Sequence, residues 1–177
     1  HWDYHYEIGQ VYEELGRIIS IFGMAYCIKT NEWSPVTLHD KMEMLIRNGH
    51  SVAKKKRHQV TNTVQFGPEE FVRLLAGMNT SGKTYNIKQV IWCLLAAQST
   101  GYAPCDEMIM PVFEAIVYMD RVTRQDDRKL SSFGNEMKFW KKFFDILESG
   151  GLAFAGVDEA ASTTSPRYQS GLSGAMA

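Results

Sequence analysis

Gly77-Met78-Asn79-Thr80-Ser81-Gly82-Lys83-Thr84 brings together residue types that hold phosphate: spaced glycines, then a lysine and a hydroxyl. The run matches G-x-x-x-x-G-K-[ST] in full, and the pattern has a mechanism. The glycines let backbone N–H groups curl around phosphate oxygens, and the helix that follows turns its positive end toward them. Lys83 would reach the β- and γ-phosphates, and the Thr84 hydroxyl would ligate Mg²⁺. A second acidic pair, Asp158-Glu159, stands at the end of the apolar run 152–157. Alone, two acids after a strand read as a solvated turn. Coupled to the phosphate loop they complete an ATP·Mg²⁺ site. Asp158 would hold the metal through water, and Glu159 would polarise the attacking water, with Lys83 and Glu159 as the catalytic groups.

Such a site needs a strand to enter the loop and a helix to leave it. Residues 71–76 are a short, mostly apolar run suited to a buried strand. From 84 to 98, Ile87, Val90, Ile91, Leu94 and Leu95 recur at helical spacing. Residues 135–147 repeat the pattern with Met137, Trp140, Phe144 and Leu147, and 152–157 is another buried-strand candidate. Upstream, Ile8, Val11, Leu15, Ile18, Ile19, Phe22 and Tyr26 predict an amphipathic helix over 6–28, broken by Trp33-Ser34-Pro35. A second short helical stretch is expected over 38–46, and a turn at Asn48-Gly49. Residues 59–66, rich in Val and Thr, read as strand, and 67–70 as a turn. Strands alternating with helices imply an α/β fold with a largely parallel sheet flanked by helices.

Composition bounds the rest. The chain has 177 residues, 45% hydrophobic and 22% charged, the balance of an ordinary globular domain. A net charge of −1 gives no global pull toward nucleic acid or membrane. The one basic run, Lys54-Lys55-Lys56-Arg57-His58, reads first as a solvated loop. No apolar run reaches the roughly 18 residues of a membrane span. Cys27, Cys93 and Cys105 offer neither a disulfide framework nor a CxxC pair, and are expected as reduced, mostly buried thiols of a cytoplasmic protein. The histidines show no metal-ligand spacing, so a zinc site is not expected. Trp92 and Trp140 lie on helical apolar faces and read as core, and the methionines between 108 and 119 read as packing. The chain begins without methionine, and a segment cut from a longer protein at both ends is expected.

Further short elements occur in a specific order. Asn48-Gly49-His50-Ser51-Val52 precedes the phosphate loop with its Asn79. Leu95-Ala96-Ala97-Gln98 and Gly101-Tyr102-Ala103-Pro104 follow it. Then come Asp126-Asp127, the segment Leu130-Ser131-Ser132-Phe133-Gly134-Asn135-Glu136-Met137, and Asp158-Glu159 with Thr163-Thr164-Ser165. The ordered set resembles the MutS family, the ATPases of DNA mismatch repair and their relatives. The resemblance implies a P-loop NTPase of the ABC type, with a helical lever remnant over 1–47 and an incomplete ATPase domain over 48–177. It also implies a homodimer or heterodimer with composite ATP sites. Ser131, helped by Ser132, would reach the γ-phosphate of the partner's ATP, and Asn79 would bind nucleotide phosphates or help place the catalytic water. For Ser131-Ser132 the simpler role of helix N-cap is compatible with this one. Mismatched duplex DNA would be held by domains outside these residues.

The sequence departs from the family in one telling place. Ala160-Ala161-Ser162-Thr163-Thr164-Ser165-Pro166 stands where mismatch-repair members usually carry Gly-Arg-Gly-Thr-Ser. In this it is similar to divergent MutS-related proteins associated with B12-dependent lysine or ornithine aminomutases, which implies an alternative: an ATPase that reactivates a protein partner without binding DNA. The family's adenine-stacking aromatic falls near His58-Gln59, and no adenine contact is assigned.

Overall fold

The computed structural model describes residues 2–52, 60–78, 81–120 and 132–158, with the backbone alone for 2–5, 132, 133, 135 and 136. Helix α1 (Trp2–Thr30) carries its apolar residues at the expected helical spacing, yet they are exposed along its length. It ends where Asn31 and Trp33 donate their N–H groups to the carbonyls of Cys27 and Ile28, and Glu32 turns the chain at φ 55°. Pro35, which lacks an N–H, cannot continue a helix.

Five strands then form one mixed sheet: β1 (Ser34–Leu38), β2 (Met44–Gly49), β3 (Asn62–Phe66), β4 (Tyr102–Ala103) and β5 (Glu107–Met110). Their order is β3-β2-β5-β1-β4. Only β1 and β5 run parallel; the β1–β4, β2–β3 and β2–β5 pairs are antiparallel. Two further strands, β6 (Ala115–Met119) and β7 (Ala153–Val157), pair in parallel, with Tyr118 opposite Gly156 and Met119 opposite Val157. The expectation of a mostly parallel sheet is therefore corrected. The α/β class stands, but the larger sheet is mixed and mostly antiparallel, because short connections such as the one from β1 to β2 leave no room for crossover helices.

Residues 38–46, expected as helix, instead close β1, turn, and open β2. The turn is held by Lys41 N–H donating to His39 Nδ1 at 3.0 Å. Met44 and Ile46 point into the core while Arg47 is exposed, the alternation of a half-buried strand. Asn48-Gly49 is not a hairpin turn but a bulge at the end of β2, with Asn48 at φ 50° and its Nδ2 donating to Asp106 Oδ2 at 2.7 Å.

Residues 71–76, expected as the strand entering the phosphate loop, form no strand and are exposed. Arg73 sits in the middle of this run. Its guanidinium donates to Glu70 and to the Gln65 carbonyl and lies 5.1 Å from the Phe66 ring, so the segment is tied to the outside of β3. A charged group so engaged cannot occupy a strand buried on both faces without losing those partners.

Helix α2 (Lys83–Thr100) is the spine of the molecule. Val90, Cys93, Leu94 and Ala97 recur at three- and four-residue spacing and bury against Met44, Ile46, Val64, Ala103, Cys105, Met108 and Met110. Met108, Met110 and Met119 are packing residues, as expected. The helix closes at Gly101, whose N–H bonds the Ala97 carbonyl. Trp92, expected in the core, is instead 47% exposed. Helix α3 (Ser132–Glu148) carries Trp140 in an aromatic row with Phe139, Phe143 and Phe144, and packs beside β7. The two sheets meet at ring edges: Phe154 contacts Phe66 at 5.9 Å and Phe113 at 5.8 Å.

Candidate functional site

The phosphate-type run begins after the exposed segment 71–76 and ends in the first turn of α2. Gly82 caps the helix at φ 86°, ψ 14°, a left-handed conformation that glycine adopts without strain. Asn86 N–H donates to the Gly82 carbonyl at 2.9 Å, the first helical bond. Among the described residues no side chain caps this end, and no acid stands in the first turn, so the leading N–H groups and the helix dipole favour an anion. Ser81 N–H donates to the Met78 carbonyl at 3.0 Å and folds the loop back on itself. Gly77 holds φ 156°, a conformation that side chains rarely adopt, and a Cβ there would also push Ser81 Oγ aside from 2.9 Å. Lys83 Nζ crosses this loop, donating to the Gly77 carbonyl and, at 2.9 Å, to the Met78 carbonyl.

Thr84 and Asp158 come together. Thr84 Oγ1 donates to Asp158 Oδ2 at 2.7 Å across 74 residues of sequence. Two features place them. Gly156 of β7 lets the strand approach α2 closely, since a Cβ there would lie 2.9 Å from Ile87 Cγ2. Asp158 N–H donates to the Met119 carbonyl at 2.9 Å, so the carboxylate is fixed at the moment the chain leaves β7. A hydroxyl beside a carboxylate is a hard-oxygen donor set, the kind that suits Mg²⁺ with water in its remaining positions.

Of the other expected site residues, Ser132 opens α3. Asn79, Thr80, Ser131, Glu159 and the segment Thr163-Thr164-Ser165-Pro166 lie outside the described residues, as do the basic run 54–58 and Gln59.

Three neighbours of the Thr84–Asp158 pair were not legible as site residues. Lys88, one helical turn beyond Thr84, places Nζ 5.6 Å from the Tyr118 ring centre. The Tyr118 hydroxyl is shut off from solvent, with no hydrogen-bond partner among the described residues. Burial first, then the negative charges of Asp120 and Asp158, push its pKa up to about 12. Asp120 follows β6 as Asp158 follows β7. The signal was present: 115–119 is an apolar run ended by an acid, the same pattern that singled out Asp158.

Behind the loop, α2 is pinned by a buried amide. Gln89 Nε2 donates to the Gly49 carbonyl, and Gln89 Oε1 accepts from Asn62 Nδ2 at 2.6 Å. His50 next door is fully buried and its N–H donates to the Pro104 carbonyl at 2.8 Å.

Fold and site thus define a mixed α/β protein with a glycine-lysine loop at the start of its central helix and an oxygen pair beside it. No family model matches the chain. It is 29% identical over 109 residues to the DNA mismatch repair protein MutS of Streptococcus uberis, a match covering 59% of this chain and 13% of the relative. With the protein of the same name from Staphylococcus saprophyticus it shares 32% identity over 102 residues, 56% of this chain and 11% of the relative. With that of Streptococcus thermophilus the figures are 30% over 108 residues, 59% and 12%. The chain spans little more than a tenth of the length of these curated relatives. Over somewhat more than half of its residues it is related to the MutS proteins. Among the described residues no helix is long and apolar enough to cross a membrane.

Proposed function

We propose that this chain is the ATP-binding and ATP-hydrolysing part of a MutS-related protein that senses mismatched or damaged DNA. The observation that carries the reading is the Thr84–Asp158 hydrogen bond, which brings the hydroxyl of the phosphate-type loop to the acid that ends β7. Both oxygens suit Mg²⁺, and nearby the Tyr118 hydroxyl is buried without a hydrogen-bond partner among the described residues. Thr84 would hold the metal directly and Asp158 through water. Bound Mg²⁺ would neutralise charge on the β- and γ-phosphate oxygens.

The remaining steps belong to side chains and backbone. The Lys83 ammonium would exchange the carbonyls of Gly77 and Met78 for phosphate oxygens, a trade of neutral acceptors for charged ones. The N–H groups of the loop and of the first turn of α2 would cradle the same phosphates. Asn79 would add a hydrogen bond to them. Glu159, the residue after Asp158, would position and polarise the water for in-line attack. Ser131, with Ser132, would complete the site of a second subunit, so that ATP holds two copies together and hydrolysis releases them. Helix α1, the helical part of residues 1–47, would serve as the connector to the rest of the protein, while β1 and β2 belong to the larger sheet.

The names of the curated relatives favour mismatch repair. The stretch Ala160 to Pro166, lacking the glycine and arginine of that family, favours a second reading in which the ATPase reactivates a protein partner such as a B12-dependent aminomutase. One experiment addresses both: ATP turnover by the full-length protein, wild type and Glu159→Gln, with and without mismatched duplex DNA. The expected result is turnover in wild type, retained ATP binding without turnover in Glu159→Gln, and a rate that responds to the mismatch. Turnover indifferent to DNA transfers the case to the second reading. No ATP binding by the wild type overturns both.

A further inference from the structure

Parallel strands β6 and β7 end together: Met119 faces Val157 in register, and the next residue on each strand is an aspartate. The Asp158 N–H bonded to the Met119 carbonyl carries the pairing one step past the last ladder position. Side chains two apart on a strand share a face, so Asp120 lies on the face of Tyr118, and Asp158 on the face of Gly156, its cross-strand neighbour. That face is the one packed on α2, because Gly156 meets Ile87 and Ile91, and Tyr118 lies under Lys88. Thr84 stands one turn before Lys88 and bonds Asp158. Four elements of one corner therefore converge: the first turn of α2, the Tyr118 ring, and the carboxylates that end two adjacent strands.

We propose that Asp120 is a second carboxylate of the Thr84–Asp158 centre, a positioning residue that helps hold the hydrated divalent cation accompanying ATP. This rests on the reading of that centre as the metal end of a nucleotide site. Mg²⁺ keeps several waters and is commonly held by one or two carboxylates together with phosphate oxygens, so an outer carboxylate reaching those waters matches its chemistry.

The test is the Mg²⁺ dependence of fluorescent ATP-analogue binding by the full-length protein, as wild type, Asp120→Asn and Asp120→Glu. Saturable, Mg²⁺-dependent binding by the wild type is the premise, and its absence sinks the nucleotide reading and the proposal together. Given that binding, Asp120→Asn should raise the Mg²⁺ midpoint about tenfold or more while Asp120→Glu recovers most of it, the scale on which groups orienting a bound metal act. An unchanged midpoint in a folded Asp120→Asn overturns the role of Asp120 alone. A second measurement uses only wild type: Fe²⁺ in place of Mg²⁺, with ATP, ascorbate and hydrogen peroxide, cuts backbone near the bound metal by the hydroxyl radicals that Fe²⁺ releases from peroxide. Cuts around 120 as well as around 84 and 158 are expected; cuts confined to 84 and 158 overturn the proposal.

Discussion

Thr84 and Asp158 are joined side chain to side chain, the hydroxyl donating to Oδ2 at 2.7 Å, so the start of α2 and the end of β7 share one polar contact. Neither residue is buried, and the bond itself contributes only about 0.5–1.5 kcal/mol to stability. Its value lies in placement. Thr84→Val keeps the shape and removes the hydroxyl, and it is expected to weaken Mg²⁺-dependent ATP binding about ten- to a hundredfold, whereas Thr84→Ser stays near wild type. Titration of the full-length variants with a fluorescent ATP analogue decides it. Equal affinity in Thr84→Val would remove Thr84 from the site.

Gln89 is the clearest stabilising polar residue. Its amide is buried and bonds both the Gly49 carbonyl and Asn62, clasping α2 to the β2–β3 edge. In Gln89→Leu the buried Gly49 carbonyl and the half-buried Asn62 amide lose their partner, a loss of about 1–3 kcal/mol. Urea denaturation of the two proteins measures the difference. A variant as stable as wild type would mean that the clasp contributes nothing.

Gly156 sets the distance between β7 and α2. A methyl at this position would press on Ile87 Cγ2 at 2.9 Å and on Ile91 at 3.1 Å. Gly156→Ala is expected to cost about 1–3 kcal/mol through overpacking. It should also weaken nucleotide binding, since β7 carries Asp158. Thermal unfolding and ATP binding, followed together, check this; a neutral result in both would show that the interface yields freely.

The cysteines should separate by reactivity. Cys27 is exposed on α1, while Cys93 and Cys105 are buried. Burial raises the Cys93 pKa far above the usual thiol range, with the charge of Cys105 adding to it, so its thiolate is scarce at neutral pH. A maleimide should therefore modify Cys27 in the native protein and the other two only after unfolding. Mass spectrometry of the labelled peptides reads the order directly, and fast native labelling of Cys93 would contradict the packing of α2.

Much of the helical part was legible because its signal is local. The apolar spacing in 84–98 and 135–147 is visible in any short window, and α2 and α3 form there. Likewise the phosphate-type run and the apolar segment ending at Asp158 are contiguous patterns. The strands were harder. Residues 38–46 hold Met42, Met44, Leu45 and Ile46, a cluster that satisfies a helix or a strand equally until β5 arrives from more than fifty residues away to pair with β2. Asp120 carried the same local pattern as Asp158, an apolar run ended by an acid, but what sets it apart from a solvated turn is its neighbour on another strand. The failure at 71–76 came from one residue: an apolar run with Arg73 at its centre reads as strand only if the guanidinium has nowhere else to go, and Phe66, Gln65 and Glu70 give it a place.

Among the described residues no ladder joins β6–β7 to the five-stranded sheet; Phe154 meets Phe66 and Phe113 edge-on between them. Such a seam has no register. What relates the two sheets is α2, which packs on both: Gly156 of β7 lies against Ile87 and Ile91, while Val90, Leu94 and Ala97 bury against the larger sheet. Thr84 at its start holds Asp158 of the smaller sheet, and Gln89 further along clasps Gly49 of the larger, so the oxygen pair is tied to the rest of the fold through one helix.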